Sequence, residues 1–166
     1  MISDVVSIKR QFTLDDGSRC ELQNFDGGDL DNVHALEVRA NPYPWSRQNF
    51  IDSVSNSHIC VGVKVAGDWC AIAVFSIASG DAELLIISVD PAWQGKGLAT
   101  QLLQLMAEQL EDYAAELFLE VRASNDRAIE LYNRAGFNQL GVRPSYYPAK
   151  NGREDAHIYG KTLRIG

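Results

Sequence analysis

The chain has 166 residues, 46% of them hydrophobic and 22% charged, with a formal net charge of -7. That length supports one well-buried core and is short for two ordinary domains. The negative charge argues against broad nucleic-acid binding, since a phosphate backbone selects a basic face. No apolar run reaches the about 18–20 residues that span a bilayer.

The first ten residues, MISDVVSIKR, hold no basic leader followed by an apolar core. The expectation is a cytoplasmic protein with no membrane partner. Cys20, Cys60 and Cys70 have no metal-ligand spacing and form no even framework, so they read as reduced, buried thiols and no metal is expected. Residues 5–12 and 18–25 flank Asp15-Asp16-Gly17, which predicts an N-terminal hairpin. An acidic, glycine-containing stretch from Asp26 to Asp31 leads into a helix over about 29–39, with Asp29 or Asp31 as its cap. Leu30, Val33 and Leu36 keep helical spacing in it.

Asn41-Pro42-Tyr43-Pro44-Trp45-Ser46 is a stiff connector, because each proline restricts itself and its predecessor. Ser46 suits the cap of a helix over 47–55, with Trp45 and Phe50 spaced as a hydrophobic staple. Tyr43 and Trp45 either fill a gap in the core or line a substrate mouth. From His58 three β-rich runs follow, broken at Gly67-Asp68 and Gly80-Asp81, and read as an antiparallel meander. A helix over about 97–112, a strand over 116–121 and a helix over about 125–135 come next. Ser124 or Asn125 caps the second of these helices and Gly136 closes it. Residues 137–143 and 156–163 are the closing strands. The order predicts one α/β domain on a central sheet.

The stretch with chemistry in it is Gln94-Gly95-Lys96-Gly97-Leu98-Ala99, which follows a strand and opens a helix with a Leu98, Leu102, Met106, Leu110 stripe. Glycines let the backbone turn tightly and approach a ligand. The first helical amides lack intrahelical partners and favour an anion. The spacing fits neither a dinucleotide fingerprint nor a P-loop. Glu120 ends an apolar strand, where it is either a desolvated base or an edge carboxylate paired with Arg122 or another cation. Tyr132 shares a helical face with Ala128, Ile129 and Ala135, as either a core tyrosine or a proton donor. Glu37 reads as a solvated-face residue or a source of negative potential for a basic peptide. Cys60 and Cys70 could approach across the hairpin, though no base stands beside them. His34, His58 and His157 are lone histidines without metal spacing. Arg153-Glu154-Asp155 reads as a group of local ion pairs.

Gln94-Gly95-Lys96-Gly97-Leu98-Ala99 resembles the Q/R-x-x-G-x-G/A motif of the GNAT superfamily of N-acetyltransferases. The blocks at 43–46, 119–137 and 145–159 are similar to those of its bacterial members that acetylate the N-terminal alanine of ribosomal protein S18. The likeness covers roughly residues 20 to 163. It implies an acyl-CoA N-acyltransferase fold over 19–166, a mixed, mostly antiparallel sheet flanked by helices, with 1–18 as an N-terminal extension. It implies acetyl-CoA as cosubstrate and a protein N-terminal α-amine as acceptor. The diphosphate would rest on amides of Gly95, Lys96, Gly97, Leu98 and Ala99, with the Thr100 hydroxyl adding a donor and Gln94 of the same motif beside the cofactor. Pantetheine would pair with the strand at Ile87, Ser88 and Val89, and Asn125 would touch the cofactor. Glu120 matches the base and Tyr132 the acid beside the thioester sulfur. The acceptor would meet Tyr43, Trp45, Tyr146 and Tyr147. Direct nucleic-acid binding is not implied, and a monomer or weak dimer is expected. Ala99 puts a methyl where many members have glycine.

Overall fold

Strand alternation near the N-terminus becomes a hairpin in the computed structural model, which describes residues 6–163. β1 (Lys9–Thr13) and β2 (Arg19–Asn24) pair antiparallel from Lys9 with Gln23 to Thr13 with Arg19. Asp16 accepts the Ser18 amide in the turn between them. The chain then divides into two compact units. One runs up to Ser76 and includes Ile86–Leu102; the other comprises Ile77–Leu85 and the chain from Leu103 onward.

In the first unit the strands follow the order β1-β2-β3-β4, ending on the C-terminal part of β5. β3 (Ile59–Val65), β4 (Asp68–Ala78) and β5 (Asp81–Val89) are the three predicted β-rich runs. β2 with β3 and β3 with β4 pair antiparallel. Gly62 is forced by close packing, because a Cβ there would lie 2.7 Å from ring carbons of Trp69. Trp69 and Phe50 both meet the edge of Phe25, at 6.3 and 6.2 Å between centroids. This aromatic cluster anchors the two helices of the unit.

α1 (Leu30–Ala40) buries Leu30, Val33 and Leu36 as its spacing predicts. Its cap differs from expectation. A single 3-10 turn, Gly27–Asp29, precedes it, and Asp26 and Asp29 close a reciprocal capping box around that turn. Asp29 makes no side-chain cap to α1 itself. Two glycines after Asp26 let the chain tighten one residue group earlier than the helical pattern indicates. α2 (Arg47–Ser55) has the predicted cap, with Ser46 Oγ accepting from the Asn49 amide at 3.1 Å. Trp45 and Phe50 form the staple, 5.1 Å apart.

In the second unit the order is β5-β6-β8-β7, begun by the N-terminal part of β5. β5 pairs parallel with β6 (Glu116–Arg122) from Asp81 with Glu116 to Leu84 with Leu119. Parallel neighbours need a crossover, and α3 (Leu98–Leu110) lies within it. Its stripe residues Leu98, Leu102, Met106 and Leu110 are buried. α4 (Asp126–Arg134) is capped by Asn125, whose side chain accepts from the Ala128 amide, and it ends at Gly136.

β7 (Asn138–Ala149) and β8 (Gly152–Thr162) form a hairpin much longer than the predicted closing strands. The segment 144–155 thus belongs to strands that turn at Lys150-Asn151. Pairing slips between Arg143 and Tyr147, where β7 has two more residues than β8, and a bulge of this kind hides strand periodicity in sequence. The fold class is α/β, with strand pairing that is mixed and mostly antiparallel.

Candidate active site

The residues to which the resemblance points fall into two sets, one in each unit. In the first, β5 ends at Val89 and is followed by Asp90, whose carboxylate caps the short 3-10 turn Pro91–Trp93 through the Ala92 amide at 3.0 Å. The same carboxylate takes Arg39 Nη2 at 2.5 Å. Burial pushes the Asp90 carboxyl up, but the Ala92 amide and Arg39 outweigh it and hold it below its usual value. Gln94 then laces the turn to the strand, donating from Nε2 to the Val89 carbonyl at 3.1 Å.

Gly95 and Gly97 follow with φ of 78° and 80°, a left-handed backbone that favours glycine. Nothing stands within 4 Å of where a Cβ would project from either residue. Intrahelical bonding starts at the Gln101 amide, which donates to Gly97 O. The six amides from Gly95 to Thr100 have no hydrogen-bond partner among the described residues. Consecutive free donors at a helix N-terminus fit an extended anion such as a diphosphate. Lys96 of this turn lies 3.5 Å from Asp16 of the β1–β2 hairpin, and 5.5 Å over the Trp93 ring.

Ser88, one residue before the strand end, turns its hydroxyl inward onto Glu37 at 2.5 Å. Glu37 is fully buried, contrary to the solvated-face expectation. Its other oxygen accepts from the Trp45 amide at 2.9 Å and from Asn41 Nδ2 at 3.0 Å. Burial raises its proton affinity, against the lowering effect of those donors. Its position on α1, one past Leu36, carried no sign of this. In the same connector Tyr43 is 47% exposed, while Trp45 rests on Phe50. Cys60 pairs with Val74 in the β3–β4 register, so it does not face Cys70. All three cysteines are buried and unbridged.

The second set centres on Glu120 in β6. Arg143 of β7 pairs with it at 2.9 Å; Glu120 is 18% exposed and Arg143 56%. Arg122 donates to the Pro148 carbonyl at 2.7 Å and lies 4.6 Å over the Tyr147 ring. Arg143 lies 5.4 Å over Tyr146. Glu83 of β5 joins the group. It pairs with Phe118, so it shares a face with Glu120 two residues further on. Burial pushes the Glu83 carboxyl up and the Glu120 charge adds to that, with Arg143 opposing.

The β7 bulge is held from below. Arg153 donates to the carbonyls of Ser145 and Tyr146 at 2.8 and 2.6 Å, and Asp155 accepts the Ser145 amide at 2.9 Å. Glu154 accepts the Ser124 hydroxyl at 2.8 Å. Arg153 and Asp155 thus serve as a backbone clamp while Glu154 holds the Ser124 side chain, and among the described residues the expected local ion pairs do not form. The clamp fixes Tyr146 and Tyr147 edge to face at 5.0 Å. Burial, then the Glu120 charge, pushes the Tyr147 phenol up to about 12.

Tyr132 of α4 is buried against Phe137 and Tyr159, at 5.7 and 6.4 Å between centroids. Burial keeps its phenol protonated well above the usual range. Among the described residues its hydroxyl makes no hydrogen bond. Asn125 spends its side-chain oxygen on the α4 cap. No group of His, Cys, Asp or Glu that could hold a metal occurs among the described residues. Sequence reasoning missed Glu83 and Arg143, which join Glu120 only through the β5–β6 register and the bulged hairpin.

A row of free amides at a helix N-terminus in one unit and a carboxylate–arginine–tyrosine group in the other are both compatible with acyl transfer. Residues 30–137 match the acetyltransferase (GNAT) family, and the chain belongs to that family. The bS18-alanine N-acetyltransferase of Escherichia coli K12 is 37% identical over 138 residues, covering 82% of this chain and 93% of that protein. The crystal structure of the ribosomal-protein-S18-alanine N-acetyltransferase from Escherichia coli superposes with a TM-score of 0.83 at 34% identity, over 89% of this chain and 96% of that one. An acetyltransferase from Salmonella typhimurium, solved with its cofactor acetyl-CoA, shares the fold, with a TM-score of 0.72 at 16% identity over 89% and 95% of the two chains. The protein is a GNAT-family, acetyl-CoA-dependent acetyltransferase.

Proposed function

We propose that the enzyme acetylates a protein N-terminal α-amine, with the alanine of ribosomal protein bS18 as its acceptor, in the cytoplasm. What carries the reading is the likeness to bS18-alanine N-acetyltransferases over 93% of their length. The Glu120 group supports it chemically. An α-amine titrates near pH 8, so it needs only modest help to lose its proton. Acetyl-CoA supplies the activated thioester when bound.

Glu120 takes the proton that the amine releases as its N–C bond forms. Tyr132 gives a proton to the sulfur as the C–S bond breaks; burial holds its phenol in the protonated form until then. An arriving ammonium competes with Arg143 for Glu120, and Glu83 adds a second carboxylate on the same face. Tyr146 and Tyr147, held by the Arg153 clamp, receive the first residues of the acceptor, with Tyr43 and Trp45 as the further contacts. Amides of Gly95 to Ala99, the Thr100 hydroxyl and Gln94 and Lys96 of the same turn hold the diphosphate. The backbone of Ile87 to Val89 and Asn125 hold the rest of the cofactor.

The test is incubation with acetyl-CoA and a panel of peptides, following peptide mass and released thiol together. One added acetyl on the α-amine of an Ala-initiated bS18 peptide, matched by one thiol, is the expected result. Faster acetylation of lysine side chains or small amines, with the bS18 peptide unmodified, would reject the acceptor while leaving the transferase chemistry intact.

A further inference from the structure

Glu37 accepts three neutral donors from three different places. Ser88 lies on β5, Asn41 follows α1, and the Trp45 amide belongs to the stiff connector. The network continues one step, because Asn41 Oδ1 accepts the Tyr43 amide at 2.9 Å. The connector therefore hangs from one buried carboxylate, and the same carboxylate grips β5. Alternation along β5 matters here. Ser88 is buried while Ile87 and Val89 are half-buried, so the Ser88 hydroxyl can serve the interior without engaging the flanking side chains.

We propose that Glu37 is a positioning residue that couples the two substrates. It makes order in β5, the cofactor strand, and order in the Asn41–Trp45 connector, the acceptor loop, depend on one another. The inference rests on the roles assigned to those segments under Proposed function. Two ligands that each stabilise one end of a shared network bind more tightly together than alone, and the effect is reciprocal. Burial makes the tie stiff. A displaced Glu37 would leave a desolvated carboxylate and three unpaired donors, so partial rearrangement is disfavoured and the ends move together.

Gln and Leu at this position separate shape from polarity. Glu37→Gln can accept from Trp45 N–H and Asn41 Nδ2 with its carbonyl and donate to Ser88 Oγ with its amide. Glu37→Leu can do neither. Ser88→Ala cuts only the strand end and leaves the connector end intact.

The experiment measures the dissociation constant of an Ala-initiated bS18 peptide by calorimetry, with and without saturating coenzyme A, and that of coenzyme A alone. In the unmodified protein, coenzyme A should tighten the peptide by about fivefold or more. Ser88→Ala should bring that ratio close to one. Glu37→Gln should keep the ratio and Glu37→Leu should lose it, with circular dichroism confirming that each variant is folded. A ratio unchanged by Ser88→Ala, or lost in Glu37→Gln, overturns the coupling. Coenzyme A binding with no peptide binding in the unmodified protein instead overturns the acceptor reading, and the coupling with it.

Discussion

Glu37 and Glu120 are both glutamates in segments with apolar neighbours, yet their surroundings are opposite. In the first unit, Glu37 is enclosed and its hydrogen bonds come from hydroxyl and amide donors, with His34 of the same helix close enough to act on its charge. In the second, Glu120 is 18% exposed and has a guanidinium at 2.9 Å, a second carboxylate on its face and a tyrosine that responds to its charge. The contrast separates two uses of one side chain. A carboxylate held by neutral donors away from water is poorly placed to exchange protons with a substrate, and it fixes geometry. A half-open carboxylate whose partner is an exposed cation can trade that partner for an ammonium, and it suits chemistry.

The comparison breaks most readily at Glu120. Glu120→Gln should lower kcat/KM by about 100- to 10,000-fold, the usual span for a general base. Coenzyme A affinity should stay unchanged, measured by steady-state kinetics beside calorimetry. A comparable loss of coenzyme A binding would mean that Glu120 supports the fold rather than the reaction.

Glu37→Leu comes next, and its effect should be on stability. The buried Ser88 hydroxyl loses its acceptor at about 1–3 kcal/mol before relaxation, and the part-buried Asn41 and Trp45 donors add less, so the denaturation midpoint should fall clearly. Glu37→Gln should not fall with it. Burial raises the folded-state proton affinity of Glu37 above its ordinary 4.5. The carboxyl therefore carries no titration penalty below pH 4.5, and the penalty grows as pH rises through the raised value. The advantage of Gln over Glu should widen over that same interval in urea titrations.

Tyr132→Phe should reduce kcat by about 10- to 100-fold with KM little changed, if its hydroxyl protonates the leaving sulfur. Equal losses in kcat and coenzyme A affinity would reassign it to packing against Phe137 and Tyr159.

Alkaline titration touches both units. Burial pushes the Cys60 and Cys70 thiols from 9.0 to about 12 and about 11, and the Tyr147 phenol from 10.0 to about 12. Above the ordinary values the unfolded chain releases protons that the folded chain still holds. Stability should be intact below pH 9.0 and decline as pH rises through 11 to 12, with Cys60→Ala softening the decline.

The smallest effect is expected at Asp16. Its pair with Lys96 is exposed and 3.5 Å long, so Asp16→Asn should change coenzyme A affinity by about threefold at most, and less in high salt. A larger change would give the N-terminal hairpin a part in cofactor binding.

Much of this protein is legible along the chain because its signals are local. The Asp-Asp-Gly hairpin, the Ser46 cap with its Trp45–Phe50 staple, the Asn125 cap and the glycine turn before α3 each depend on residues within a few positions of one another. Backbone preference and short-range hydrogen bonding settle such features before the chain folds. The surroundings of Glu37 and Glu120 are not of that kind. Glu37 meets Ser88 from 51 residues away, and Glu120 meets Arg143 through the pairing of β8 with both β6 and β7. A parallel register sets Glu83 on the face of Glu120, and no periodicity in one strand can announce the register of another. Sequence alone thus determined where the glycine turn and the local caps lie; tertiary packing decided which carboxylate is sealed and which is ion-paired, because desolvation and ion pairing arise from neighbours distant in the chain.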